Sequence, residues 1–192
     1  MAAIVYLHGF LSSPGSAKAQ ALKDYLAEAE PELSFHCPQL TPYPRQTRRE
    51  LEALVEFLFP EPIWLIGSSL GGFWATWLAE KFDLPAVLVN PSVKPWEFMP
   101  AYLGVDLKSY HTDDSYRLEP HHLDEIRAVN CNTIERPDNY WLLLQTGDET
   151  LDYRDAVNKY AASKQLVEPG GDHSFVNFEQ HLPAVMQFFR SL

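Results

Sequence analysis

The stretch IWLIGSSLGGFWATWLAE, residues 63–80, sets two adjacent serines between an apolar run and a helix-like run. Its centre, Gly67-Ser68-Ser69-Leu70-Gly71, fits G-x-S-x-G about Ser69. A serine can stand on a sharp strand-to-helix turn only where the residues two before and two after it leave room, and here both are glycine. Ser68 has Ile66 and Leu70 at those places. Ser69 is therefore the candidate nucleophile, and Ser68 the small residue that lets the corner close. Five positions alone are weak evidence; a strand before them and a helix after them give the pattern its weight.

Working outward, short apolar or β-branched runs recur at 3–7, 33–37, 63–66, 86–89, 140–145 and 164–168. Helical periodicity fills 17–29, 46–59, 72–81, 152–162 and 178–189 between and after them. This alternation predicts an α/β fold: a mostly parallel six-stranded sheet with helices on both faces, formed by one domain over 1–192. Residues 91–137 break the rhythm. They are rich in proline, aromatic and charged residues, show no clear strand, and are expected to form a small cap-like insertion above the strand ends. Within it, Trp96, Phe98, Met99 and Tyr102 either line a substrate pocket or bury the insertion against the body.

A serine hydroxyl is a weak nucleophile and needs a base, itself oriented by a third group. Of seven histidines, only His8 and His173 follow expected strands in glycine-containing loops. His8 precedes the serine, whereas His173, in EPGGDHSF, comes after it and is the candidate base. His36, His111, His121, His122 and His181 are assigned to surface or packing. For the acid, TGDETLD offers Asp148 nearest the strand end; Asp152 is the alternative, although its position suits the cap of the next helix. Glu149 is expected to project to the other side of that loop, and Asp172 away from His173. Backbone N–H groups of Leu70, after the serine, and Phe10, in LHGF, are the candidate oxyanion hole. His8 would hold the latter loop by hydrogen bonds.

The formal charge is -11, from 26 acidic and 15 basic side chains, and no lysine or arginine run is present to neutralise phosphates. No nucleic acid or membrane partner is expected. The opening MAAIVYLHGF lacks a basic start and a signal-length apolar run. With only two cysteines, Cys37 and Cys131, outside any metal-type spacing, the chain is expected to be cytoplasmic, reduced and metal-free.

LHGF, GSSLGG, TGDE and GGDHSF, in this order, resemble the α/β-hydrolase superfamily. LHGFLSSPGSAKA, NPSVKPWE and QTGDETLDYRDA more narrowly resemble the small bacterial YqiA-type esterases, over nearly the whole chain. The resemblance implies a serine esterase or thioesterase without cofactor. Its partner would be a small-molecule acyl ester or acyl-CoA substrate, with Ser69, Asp148 and His173 as the triad. A peptidase or carbon-carbon hydrolase using the same triad is the first alternative, because one fold hosts many chemistries. A catalytically silent ligand-binding module is the second.

Overall fold

The computed structural model describes residues 2–192. Six strands, β1 (Ala3–Leu7), β2 (Ser34–His36), β3 (Ile63–Ser68), β4 (Ala86–Val89), β7 (Tyr140–Gln145) and β8 (Lys164–Glu168), form one sheet in the order β2-β1-β3-β4-β7-β8. Every pairing in it is parallel. Strands β5 (Asp106–Lys108) and β6 (Ser115–Arg117) make a separate antiparallel pair.

Alternation along the central strands explains why helices cover both faces. Ala3, Val5 and Leu7 of β1 enter one hydrophobic core, while Ile4 and Tyr6 enter the other. β7 divides likewise, with Tyr140, Leu142 and Leu144 on the first side and Trp141 and Leu143 on the second. Helices α2 (Pro44–Leu58) and α3 (Leu70–Phe82) close the first side through Leu51, Val55, Trp74 and Leu78. Helix α1 (Ala17–Ala29) closes the second through Leu22 and Leu26, together with the C-terminal helix.

Segment 91–137 carries α4 (Pro95–Phe98), a 3-10 turn at Met99–Tyr102, the β5–β6 pair and α5 (Pro120–Ala128). The strand pair corrects the expectation of a strand-free segment; three-residue strands are too short to leave a readable alternation. Tyr110, between β5 and β6, donates its N–H to the Leu11 carbonyl at 2.8 Å, which ties this segment to the loop after β1.

Several element ends also differ from expectation, each for a local reason. β3 continues through Gly67 and Ser68, which pair with Leu7 and Val89 of the neighbouring strands. α2 starts earlier because Pro44 sits in its first turn, where a missing N–H costs nothing. α3 starts two residues early because Ser69 passes the chain directly into it. α6 is only Tyr153–Lys159, with Asp152 as its cap. The final helix divides into a 3-10 turn, Phe178–His181, and α7 (Leu182–Arg190), which has Pro183 in its first turn. β2 spans only 34–36; it lies at the sheet edge and is half-buried.

Strand order reverses between β1 and β3, because the chain leaves β1 toward β2 on one side and returns to β3 on the other. Loops leaving these two carboxyl ends diverge, and a crevice opens between them.

Candidate active site

Ser69 stands in that crevice with φ 55° and ψ -121°, a conformation an L-residue holds only when its surroundings impose it. Its N–H donates to the Val89 carbonyl at 3.1 Å, and its carbonyl accepts from Gly72 and Ser92, each at 2.9 Å. The flanking glycines make this possible by their lack of a side chain. A Cβ on Gly67 would come to 2.4 Å from the Gly71 carbonyl oxygen, and one on Gly71 to 1.9 Å from that of Leu7. The first turn of α3 thus rests directly on the ends of β1 and β3.

Two residues from distant loops meet this serine. His173 Nε2 lies 3.0 Å from Ser69 Oγ, and His173 Nδ1 lies 2.9 Å from both Asp148 carboxylate oxygens. The Asp148 side chain is 2 % exposed and that of His173 23 %. Asp148 Oδ1 also accepts from the N–H groups of Thr150 at 2.9 Å and Leu151 at 2.8 Å, so the carboxylate has a fixed direction. A carboxylate can only accept, so the proton belongs on Nδ1 and leaves Nε2 free to take the serine proton.

The histidine loop is clamped from below by two buried amides at strand ends. Asn90, after β4, donates from Nδ2 to the carbonyls of Asp172 at 3.0 Å and His173 at 3.2 Å, while its Oδ1 accepts from Gln145 N–H at 3.0 Å. Gln145 Oε1 accepts from the N–H groups of Asp172 and Val176. Glu149 does not project away as expected. Its carboxylate accepts the His173 N–H at 2.9 Å, and that bond holds its pKa below the ordinary value. Asp172 makes no hydrogen bond to the His173 ring, and its Oδ1 is buried without a partner among the described residues. Asp152 stands outside the Ser69–His173–Asp148 chain. It caps α6 by accepting Arg154 N–H at 3.0 Å and pairs with the Arg154 guanidinium, which pulls its pKa down to about 2.

Gly9 brings the loop after β1 against the serine, since a Cβ there would sit 3.4 Å from Ser69 Cβ. The N–H groups of Phe10 and Leu70 donate to no protein acceptor among the described residues. His8 is 1 % exposed and anchors this loop: its Nδ1 faces the Gly9 carbonyl at 2.9 Å, and its Nε2 accepts the Leu40 N–H at 2.9 Å. Burial pushes its pKa down to about 4, with the nearby His111 adding to the effect.

A cavity of about 410 Å³ opens over Ser69 and His173, within the range of small-molecule sites. Phe98 and Tyr102 line it and pack on Phe10 at ring-centroid distances of 5.6 and 5.1 Å. The other two aromatic-segment candidates go elsewhere: Met99 is 1 % exposed within the core, and Trp96 lines a separate depression with Asn130 and Lys159. The sequence reading passed over Lys18, Ser12, Ser16 and Tyr110, which also line the cavity. The run LSSPGSAK was the available signal: three serines and a lysine directly behind a candidate oxyanion loop. Among the described residues, no group of three or more His, Cys, Asp or Glu could hold a metal ion, and no helix is long and apolar enough to cross a membrane.

Comparison with known proteins places this architecture. The mouse alpha/beta hydrolase domain-containing protein 10 superposes with a TM-score of 0.71 at 16 % identity, over 98 % of this chain and 88 % of its own. Est1E from Butyrivibrio proteoclasticus gives 0.69 at 17 % identity, over 98 % and 87 %. Both likenesses establish the α/β-hydrolase fold. In sequence, the UPF0227 protein YcfP of Salmonella gallinarum is 23 % identical over 187 residues, covering 96 % of this chain and 97 % of the relative. A UPF0227 protein of Pectobacterium carotovorum is 25 % identical over 191 residues, with the same coverage. The uncharacterised protein family UPF0227 matches residues 3–190, and the chain belongs to that family.

Proposed function

We propose that this protein is a serine hydrolase that cleaves small acyl esters or acyl thioesters through an acyl-enzyme on Ser69. The observation that carries the reading is the continuous hydrogen-bond chain from Ser69 Oγ through His173 to Asp148, at 3.0 and 2.9 Å, on the floor of a cavity. A hydroxyl bonded to an imidazole whose far nitrogen faces a shielded carboxylate is an activated nucleophile. As Ser69 Oγ attacks the acyl carbonyl, its proton moves to His173 Nε2 and Asp148 stabilises the resulting imidazolium. The carbonyl electron pair becomes an oxyanion facing the N–H groups of Phe10 and Leu70. Collapse of this intermediate breaks the bond to the leaving alcohol or thiol, which takes the proton from His173. Water then attacks the acyl-enzyme with His173 as base, and the carboxylic acid leaves with Ser69 regenerated.

Cavity size and the Phe10–Phe98–Tyr102 wall support a small acyl group as substrate. The unpaired Cys37 and Cys131 support a reducing compartment, the cytoplasm. Ser69→Ala is expected to lower kcat/KM for 4-nitrophenyl butyrate by roughly 10⁴-fold or more, with an unchanged circular-dichroism spectrum. A fluorophosphonate probe should label the wild type at Ser69. Full activity of the variant, or a wild type inert to the probe, would overturn the reading.

A further inference from the structure

The Ser69 cavity contains a cation for which the reaction has no use. Lys18, in the first turn of α1, lines it together with Ser69 and His173. Its ammonium donates to the Ser174 carbonyl at 2.6 Å, one residue beyond the histidine. An ammonium has three donors, and among the described residues this is its sole protein acceptor. Burial pulls the Lys18 pKa below its ordinary value, while the negative fields of Asp172 and Asp148 oppose that pull. Neither carboxylate reaches Lys18 within ion-pair distance, and Asp148 is already occupied by His173 and two backbone N–H groups. Two of the ammonium's three donor positions therefore have no protein acceptor among the described residues.

Ser16, which precedes α1, also lines the cavity, but its Oγ is shielded and lies beside the Tyr6 hydroxyl, so it is closed to a ligand. Ser16 and Lys18 occupy the cap and first turn of a 13-residue helix, where backbone dipoles favour negative charge. The ammonium in the cavity and the helix start behind it both favour an anionic oxygen ligand.

We propose that Lys18 forms a carboxylate-binding subsite within the Ser69 cavity, and that the preferred substrates carry an ionised carboxylate a few bonds from the reacting carbonyl. This rests on the serine-hydrolase reading above. Short half-esters or half-thioesters of dicarboxylic acids have this form. Lys18 is tied to the residue after His173, so an anion on it shares one cavity with the scissile bond.

The test compares charge at constant size. On the acyl side, the mono-4-nitrophenyl ester of glutaric acid is set against 4-nitrophenyl 5-methylhexanoate, in which an isopropyl group replaces the carboxylate. On the leaving side, the acetyl ester of 4-hydroxybenzoate is set against that of 4-hydroxybenzamide. In one of these pairs the wild type should favour the charged member in kcat/KM, and the pair that responds identifies which half of the substrate bears the carboxylate. In Lys18→Met that charged-to-neutral ratio should fall roughly 10- to 100-fold, the usual strength of a hydrogen bond to a charged group, and Lys18→Arg should restore part of it. Taking a ratio cancels any general loss from the freed Ser174 carbonyl. Should Lys18→Met fail to fold, glutarate must still inhibit the wild type at least tenfold more strongly than pentanoate. A ratio unchanged in Lys18→Met, or a wild type that prefers the neutral member of both pairs, would show Lys18 to be a loop anchor and overturn the subsite. Fluorophosphonate labelling of Ser69 in the same preparations reports on the serine-hydrolase reading separately.

Discussion

Among single residues, the two candidate acids are separated by their neighbours. Asp148 faces His173 with two backbone N–H groups holding it in place, whereas Asp152 is exposed and taken up by Arg154 and its helix cap. Asp148→Asn is expected to reduce kcat by roughly 10³- to 10⁴-fold, because an amide no longer fixes the base-competent tautomer. Asp152→Ala should keep near-normal kcat and lose a little thermal stability; steady-state rates of the pair decide the assignment. His8 provides a pH prediction. Its imidazole titrates near 4 in the folded protein against an ordinary 6.5, so between these values the unfolded chain binds the extra proton. Its stabilising contribution is complete above pH 6.5 and is lost as the pH falls toward 4, on the order of 3 kcal/mol in all. A proton on Nε2 would also face the Leu40 N–H that it now accepts. Urea unfolding at pH 7 and pH 5 should show a smaller loss for His8→Gln than for the wild type, and an identical loss in both would refute the assignment.

For the elements, the strand-to-helix corner holds backbone strain at the candidate nucleophile. Ser69 at φ 55° adopts a conformation that glycine reaches without a Cβ penalty. Ser69→Gly should therefore be more stable than Ser69→Ala by about 1 kcal/mol or more in denaturant titrations, while both variants are inactive. Equal midpoints would mean that the corner is unstrained. Gly71 is the opposite case, since an added Cβ meets the Leu7 carbonyl oxygen, which belongs to the sheet and cannot step aside. The start of α3 thereby depends on Gly67 and Gly71, and periodicity puts it at 72 rather than 70 because Leu70 and Gly71 belong to the turn in composition and to the helix in geometry.

For the whole molecule, parallel strand order decides which loops share one end of the sheet. Carboxyl ends of β1, β3 and β7, with the loop after β8, deliver Phe10, Ser69, Asp148 and His173 to one crevice, and the 91–137 segment supplies Phe98 and Tyr102 as its wall. Phe98 packs edge to face on Phe10 at 5.6 Å, so its truncation enlarges the cavity beside the candidate oxyanion loop. Phe98→Ala is expected to move the optimum of a graded series of 4-nitrophenyl esters toward longer acyl chains, by two or more carbons. A lower rate with the optimum unmoved would assign Phe98 to holding the loop rather than to setting chain length.

The central strands, the α1 helix and the candidate serine, histidine and acid are legible in the chain alone. Local patterns suffice there: apolar runs mark strands buried on both faces, and the glycines of G-x-S-x-G, between a strand and a helix, leave room for a sharp corner at Ser69. Ends of elements were less legible, because Pro44, Ser69 and Pro183 set them through backbone geometry rather than through hydrophobic period. Only the tertiary structure decided which side chains share the cavity. Phe98 and Tyr102 enter it while Met99 and Trp96, from the same short segment, do not. Lys18 arrives there from the first turn of α1, four residues before the buried Leu22 and on the same helix face, where its charge alone reads as a surface residue. Glu149 turns to the His173 backbone for the same kind of reason. Side-chain direction at a loop depends on contacts formed across the sheet between residues far apart in the chain, and no local pattern encodes those contacts.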